Sequence, residues 1–374
     1  MEMQPLPDLN PSPRILLGPG PSMVSPRVLR SMATPLLGHL DPQFLALMSE
    51  VQSLLRYVFQ TKNELTLPIS GTGSAGMEAA LCNIIEPGDR VLIAINGYFG
   101  ERMYNMAGRY GATVDRLERP WGEVFDPAEI EAALKGKNYK LVAMVHAETS
   151  TGARQPHIAE IAAATHRHGA LLVLDTVTSL GGVPVEVDAW DVDVCYSGTQ
   201  KCLSAPPGLA PLTMGPRAIE AMQKRKTQVT NWYLDLTLLT QYWGKERTYH
   251  HTAPITMNYA LREALRLVAE EGLERRFARH QANAELLWEG LEALDLPLLV
   301  PYPNRLASLS TPQLPPAVDD VAVRRRLLDE YNIEIAGGFG PLKGKVFRIG
   351  LMGYGSRLEN ITLLLAALRE VLAS

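Results

Sequence analysis

The sequence has little cysteine, few aromatic residues and no long apolar run. Its 374 residues include 3 cysteines, and aromatic residues make up 7% of the chain. Three cysteines without neighbouring ligands form neither a disulfide framework nor a zinc site, so we expect buried thiols in a reducing compartment. No segment approaches the roughly 20 apolar residues of a membrane-spanning helix. We therefore expect a cytoplasmic protein that makes no use of a membrane.

Neither sign of charge dominates the sequence. Lys plus Arg number 36 and Asp plus Glu number 40, which gives a net charge of -4. Because binding to a phosphate backbone requires a basic surface, we expect no nucleic-acid partner. The 8 histidines show no metal-ligand spacing, so we expect no metal site. Residues 1–14 are rich in proline and predict an extended N-terminal arm, not a helix or a signal peptide.

Two patterns of secondary structure divide the rest of the chain. Residues 15–255 alternate short apolar runs with helical patterns: strands are predicted at 65–69, 90–95, 112–116, 140–146, 170–175 and 193–196, with helices at 74–85, 98–110, 127–135 and 156–168. This alternation predicts an α/β fold, a large domain with a mostly parallel mixed sheet flanked by helices. Residues 256–374 begin with a connecting helix and continue as a smaller C-terminal α+β domain.

A glycine-rich loop follows the first of these strands, at residues 70–76. Its Gly71-x-Gly73-x-x-Gly76 spacing matches the fingerprint of dinucleotide-binding proteins, but the acidic residue expected about 20 positions later is Asn96. Free N–H groups at the start of a helix bind anions, and Thr72 and Ser74 add hydroxyl groups. The loop therefore predicts a phosphate site, and it leaves an NAD-dependent dehydrogenase as a weaker alternative.

Three further polar segments follow predicted strands: Asp175, the segment 146–152, and Lys201 within the segment 197–202. Each has a simpler explanation alone, since an aspartate can cap a helix and a lysine can be solvent-exposed. Because the carboxyl ends of parallel strands meet at one edge of a sheet, we expect all three beside the glycine-rich loop. A phosphate loop, a carboxylate and a lysine together suit an aldehyde cofactor with a phosphate and a ring nitrogen.

A resemblance to a known family is carried by the segments 18–22, 70–78, 175–182, 198–201, 249–252 and 347–350. In these segments the sequence resembles the class V, fold-type I pyridoxal-phosphate aminotransferases, and within them the alanine–glyoxylate and serine–glyoxylate aminotransferases. It implies pyridoxal 5'-phosphate as cofactor and a homodimer with shared active sites. It also implies transfer of the amino group of a small L-amino acid, alanine or serine, to glyoxylate, which yields glycine and pyruvate or hydroxypyruvate through a pyridoxamine phosphate form.

The resemblance assigns two catalytic residues and one substrate anchor. Lys201 matches the Schiff-base lysine that also transfers a proton, and Asp175 matches the carboxylate that pairs with the pyridine nitrogen. Arg348 matches the arginine that binds the substrate carboxylate, on a strand whose alternation turns it away from its two apolar neighbours. Gly20 and Ser150 are the other implied substrate contacts.

The implied cofactor contacts cover both ring faces and the phosphate. Val177 packs on one face and Phe99 on the other, where the family often has a tryptophan, so the indole N–H is lost here. Ser150 contacts the ring oxygen. The phosphate contacts are Thr72, Gly73, Ser74 and Gln200, with Tyr249 and Thr252 from the neighbouring subunit.

Two other functions remain open on the same fold. A lyase or cysteine desulfurase is one, but a desulfurase needs a reactive cysteine in the C-terminal part, and the last cysteine is Cys202. A cofactor-binding partner subunit without activity is the other. The presence of Lys201, Asp175 and Arg348 at the expected positions argues against it.

Overall fold

A seven-stranded sheet is the centre of the larger part of the chain in the computed structural model, which describes residues 6–373. The strands are β1 (Ile15–Leu16), β2 (Leu65–Ser70), β3 (Arg90–Ile95), β4 (Thr113–Glu118), β5 (Leu141–Val145), β6 (Ala147–Glu148), β7 (Ala153–Arg154), β8 (Leu171–Asp175), β9 (Val194–Tyr196), β10 (Leu209–Met214), β11 (Leu309–Ser310), β12 (Ile333–Glu334), β13 (Ala336–Gly337) and β14 (Phe347–Gly350). The large sheet has the order β2-β10-β9-β8-β5-β3-β4. Its strands are parallel except β10, which is antiparallel to both neighbours, so the prediction of a mostly parallel mixed sheet is confirmed.

Strand β10 was missed by the sequence analysis. Its apolar run contains Pro211, and proline lacks the N–H that a central strand donates to its neighbour. Pro211 lies opposite Pro68 of β2, the strand at the edge of the sheet. The carbonyl of Pro211 accepts the Ser197 N–H at 2.8 Å.

Helices cover the sheet and build the C-terminal part. They are α1 (Pro26–Met32), α2 (Pro42–Phe59), α3 (Gly73–Cys82), α4 (Tyr98–Arg109), α5 (Pro127–Leu134), α6 (Ile158–Arg167), α7 (Pro216–Gln223), α8 (Leu236–Trp243), α9 (Ile255–Glu271), α10 (Leu273–Glu292), α11 (Asp320–Tyr331) and α12 (Leu358–Ala373). Three of them, α1, α2 and α5, begin with proline after a side chain that caps the helix. A capping side chain followed by proline fixes the start of a helix. The cap accepts a hydrogen bond from one of the free N–H groups of the first turn, and proline has no N–H that would need a partner. No helix between residues 6 and 373 is long and apolar enough to cross a membrane.

Alternate residues of the sheet strands enter two separate cores. Ile93 and Val173 belong to one core, and their neighbours Leu92 and Leu172 belong to the other. Apolar side chains on both faces are what a sheet covered on both sides requires. A third core lies in the C-terminal part and includes Phe347.

The N-terminal strand β1 packs with the C-terminal elements. Ile15 pairs in parallel with Ile333 of β12, and Leu17 is fully buried in the C-terminal core. The predicted large domain of residues 15–255 therefore begins with residues whose contacts lie elsewhere. Residues 6–13 are exposed and form neither helix nor strand, as an extended arm requires, while residues 1–5 lie outside the described residues. The other predicted boundary, at 255 and 256, stays a prediction.

Candidate active site

A cavity of about 260 Å³ lies where β8 and β9 end and α3 begins. Its wall consists of Thr72, Gly73, Ser74, Met77, Phe99, Arg102, Asp175, Val177, Gln200 and Lys201. The structure thus brings the glycine-rich loop, the aspartate and the lysine together, as the strand order predicts. Met77 and Arg102 are the two wall residues that the sequence analysis did not select.

The first turn of α3 offers free donors at one end of this cavity. Thr72 precedes the helix without capping it through its side chain, and the N–H groups of Gly73 and Ser74 have no hydrogen-bond partner among the described residues. A helix N-terminus also carries a partial positive charge, which favours an anion. A side chain at Gly73 would place its Cβ 3.2 Å from Val177, tighter than ordinary van der Waals contact, so glycine suits this position.

Gln200 provides an independent sign that the cavity is built for a polar ligand. Its Oε1 is buried, and its amide makes no hydrogen bond to any residue that the structure describes. A buried polar group without a partner costs roughly 1–3 kcal/mol, a cost that a ligand removes when it supplies the partner. The amide can present either its oxygen or its NH₂ group, and the NH₂ group suits a phosphate.

Asp175 is the carboxylate at the end of β8, and it is 2% exposed. Burial raises its pKa to about 6, although two hydrogen bonds to the carboxylate oppose that rise. The backbone N–H of Val177 donates to Oδ1 at 2.8 Å, and the Tyr196 hydroxyl donates to Oδ2 at 2.7 Å. A dehydrated carboxylate held in this way is suited to pair with a cation, such as a protonated ring nitrogen.

Tyr196 is a contributor that the sequence analysis did not select. It lies in register with Asp175 across the parallel pair of β8 and β9, which brings its hydroxyl to the carboxylate. Its sequence signal was weak, because a tyrosine at the end of a short buried strand usually serves only the core. Only the pairing of the two strands identifies it.

The raised pKa of Asp175 makes the stability of the cofactor-free protein depend on pH. The folded state binds this proton more tightly than the unfolded state, so this group's contribution to stability falls as pH rises from about 4 to 6 and stays lost above. We expect Asp175→Asn to raise the free energy of unfolding of the cofactor-free protein at pH 8 by on the order of 2–3 kcal/mol. Urea unfolding at pH 8 and pH 4 measures it. An equal effect at both pH values would contradict this account.

Lys201 lies in the turn that follows β9 and is 8% exposed. Burial, with Arg348 as the next contribution, lowers the pKa of its amine to about 8. A neutral amine is the form that attacks a carbonyl and accepts a proton, so this shift raises the reactive fraction near neutral pH. Its Nζ donates a hydrogen bond to the Pro19 carbonyl, which orients the amine.

Gly20 lies directly over the lysine. A Cβ at this position would lie 2.7 Å from Lys201 Nζ, and its φ of 110° is a conformation that glycine favours. The Ser22 hydroxyl donates to the Lys201 carbonyl at 2.7 Å and fixes the loop to the turn. The 18–22 loop therefore leaves little room above the amine.

Ser150 does not line the cavity, although the resemblance implies a contact with the cofactor. Its hydroxyl donates to Glu148 Oε1 at 2.6 Å and accepts the Tyr98 N–H at 2.9 Å. Glu148 is fully buried and also accepts the Phe99 N–H at 3.2 Å. This carboxylate joins the start of α4 to the β6–β7 hairpin and so fixes the backbone that carries Phe99. Its role was missed, because the sequence showed it only as part of the segment 146–152.

Arg348 is 4% exposed on β14, with Phe347 and Ile349 buried in the C-terminal core as the alternation predicted. Its Nε donates to the Gly337 carbonyl at 2.8 Å, and Nη1 donates to the Thr149 carbonyl at 3.3 Å. The guanidinium carbon lies 3.9 Å from the centre of the Phe339 ring. Within residues 6–373, Arg348 forms no ion pair. A structural ion pair therefore does not explain why this arginine is buried.

Tyr249 and Thr252 do not line the cavity of their own chain. Tyr249 is 55% exposed, and its hydroxyl lies 3.4 Å from Thr252 Oγ1. His250 and His251 between them are buried, and a hydrogen bond of 2.7 Å joins His251 Nε2 and the Ser70 hydroxyl. The two exposed hydroxyls therefore project from an anchored segment next to β2.

Comparisons with known proteins find relatives over nearly the whole chain. The pattern of the family described as aminotransferase class-V matches residues 16–352. The (S)-ureidoglycine–glyoxylate transaminase of Bacillus subtilis is 45% identical over 96% of this chain and 90% of its own. The alanine–glyoxylate aminotransferase of Drosophila melanogaster is 42% identical over 96% and 93%. The crystal structure of an alanine–glyoxylate aminotransferase from Nostoc sp. is 56% identical, covers 99% of this chain and 98% of that one, and has a TM-score of 0.97.

These similarities cover nearly the whole chain, and the cavity supplies the groups that the cofactor of such enzymes needs: a phosphate loop, a buried carboxylate and an amine of lowered pKa. The chain belongs to the aminotransferase class-V family and is a pyridoxal-phosphate-dependent aminotransferase.

Proposed function

We propose that this aminotransferase transfers the amino group of a small L-amino acid, alanine or serine, to glyoxylate. The observation that carries the proposal is the buried Arg348, a guanidinium without an ion-pair partner in the described chain, together with the restricted space that Gly20 leaves above Lys201. The first feature suits a substrate carboxylate, and the second suits a small side chain. Glyoxylate as acceptor is supported by the names of all three relatives above.

The proposed chemistry divides among the residues of the wall. Bound pyridoxal phosphate supplies an electron-withdrawing ring next to the carbon that loses its proton. Lys201 is the base that takes this proton and returns it at a second position, and its pKa of about 8 suits both directions. Asp175 would keep a proton on the ring nitrogen of the bound cofactor. Val177 and Phe99 would confine the ring from its two faces, while Arg348 would hold the substrate carboxylate.

We also propose a homodimer in which Tyr249 and Thr252 complete the phosphate site of the partner subunit. Their exposure and their absence from the cavity of their own chain support this arrangement. The thiols of all three cysteines are buried and free, as in a reducing compartment, which supports a cytoplasmic location.

A cysteine desulfurase is not supported by the structure. Cys202 is fully buried, and burial raises the pKa of its thiol to about 11. A thiol in this state is a poor nucleophile near neutral pH. A solved cysteine desulfurase structure from Thermococcus onnurineus is 17% identical to this chain, and a likeness at this level shows the fold alone.

A half-reaction with one substrate at a time tests the proposed function. We expect L-alanine or L-serine to convert the bound cofactor to its amino form, which changes its absorbance, and glyoxylate to reverse the change. (S)-Ureidoglycine, the donor in the name of the B. subtilis relative, is the third donor to compare. If neither alanine nor serine changes the spectrum, the proposed donor is wrong, and a spectrum that glyoxylate fails to restore would exclude it as acceptor.

A further inference from the structure

Arg102 is the wall residue whose chemistry the proposed function leaves unused. It lies on α4, is half-buried, and donates from Nη1 to the Ser74 hydroxyl at 2.8 Å. Ser74 belongs to the first turn of α3, where the free N–H groups lie. The guanidinium is therefore one hydrogen bond away from the proposed phosphate position.

The charges of the wall show why this cation matters. Arg102 and Lys201 are the two cationic side chains of the cavity wall, and Asp175 is its carboxylate. Lys201 reacts as a neutral amine, so it cannot compensate a phosphate throughout the reaction. Arginine stays protonated at any working pH. Arg102 is thus the permanent positive charge of the wall.

The surroundings of Arg102 provide no counterion of its own. It forms no ion pair with any residue between 6 and 373, and its one hydrogen bond goes to an uncharged hydroxyl. The guanidinium lies 4.8 Å from the centre of the Phe99 ring and 5.3 Å from that of Tyr98, so aromatic faces hold it in place. A fixed, half-buried guanidinium without a carboxylate is suited to an anionic ligand.

We propose that Arg102 is the residue that makes the site select the phosphorylated cofactor over its unphosphorylated form. Its guanidinium supplies a full positive charge. The helix N-terminus supplies only a partial one, and the other groups of the loop are neutral. The inference deepens the proposed function, because it rests on the proposed position of the phosphate beside residues 72–74. Its contact with Phe99 offers the competing role, since Arg102 could act only by holding that ring.

Cofactor binding separates the two roles. Equilibrium dialysis of the cofactor-free protein measures the dissociation constants of pyridoxal phosphate and of pyridoxal, which lacks the phosphate. Arg102→Gln should weaken the binding of pyridoxal phosphate about tenfold, because a full positive charge close to the phosphate is lost, and that of pyridoxal less than about threefold. Arg102→Met keeps the aliphatic stem and carries the same expectation if the glutamine variant does not fold. Arg109→Gln, an exposed arginine on the same helix, is the control and should bind both as the unsubstituted protein does.

The outcomes decide the proposal. A selective loss for pyridoxal phosphate supports it. An equal loss for both ligands assigns Arg102 to the support of Phe99 and overturns it, and so does unchanged binding of both. The measurement needs no turnover, so a failure of the glyoxylate reaction leaves it readable and reports only on the proposed function.

Discussion

Lys201→Ala is expected to slow amino transfer by several powers of ten. The amine is lost as a base, and general base catalysis alone contributes about 10²–10⁴ in rate. The protein should still fold and bind the cofactor without a covalent link, because Gln200, the α3 N-terminus and Asp175 remain. Single-turnover absorbance with L-alanine measures the rate, and borohydride reduction followed by mass spectrometry should find no cofactor attached to the chain.

Two controls make this result specific. Lys62→Ala removes an exposed lysine and should leave the rate unchanged. A hybrid of one Lys201→Ala chain and one Tyr249→Ala chain tests the proposed shared site, since one of its two sites would then be intact. It should recover about half the activity of the unsubstituted dimer. A Lys201→Ala enzyme within tenfold of the original rate would show that another group moves the proton.

Arg348→Lys should weaken the binding of the amino-acid substrate about tenfold to a hundredfold. Lysine keeps the charge but cannot bind both carboxylate oxygens as the planar guanidinium does, and a charge-assisted pair contributes roughly 1.5–3 kcal/mol. Lysine also loses the hydrogen bonds to the Gly337 and Thr149 carbonyls together, so the group loses its orientation. Titration of the cofactor absorbance with L-alanine gives the dissociation constant.

Weaker substrate binding by the Arg348→Lys variant reports on the substrate carboxylate only if the variant keeps its fold. We expect unchanged affinity for the cofactor and a loss of stability of about 1–3 kcal/mol, for the two backbone hydrogen bonds. Arg325→Lys, on the exposed face of α11, is the matched control. Normal alanine binding, or a variant that melts far below the unsubstituted protein, would assign Arg348 a structural role and place the substrate anchor elsewhere.

Residues at strand ends were predictable because topology alone positions them. Asp175 ends one buried strand and Lys201 follows another, and parallel strands bring their carboxyl ends together in any sequence of this pattern. Arg348 was predictable from alternation, because its neighbours are apolar and a strand turns successive side chains to opposite faces. These inferences need only local patterns and the general geometry of sheets.

Residues that act through other residues were not predictable in the same way. Glu148 matters because it accepts the N–H of Phe99, and Tyr196 because its hydroxyl reaches Asp175. Arg102 is one polar residue of an amphipathic helix until the structure brings it to Ser74. Each contact joins positions between 21 and 49 residues apart, and no local pattern encodes which of many such pairs will meet.

The pairing of β1 with β12 has a consequence for synthesis on the ribosome. Arg14, which precedes β1, and its hydrogen-bond partner Asn332 are separated by 318 positions. At roughly 5–20 residues per second, the first strand waits about 15–60 s for its partner after it has been made. An unpaired strand edge invites aggregation in that interval, and prolines next to an apolar segment suppress it. Pro7, Pro11 and Pro13 precede Ile15, and because proline lacks a backbone N–H they limit strand pairing by the segment before β1.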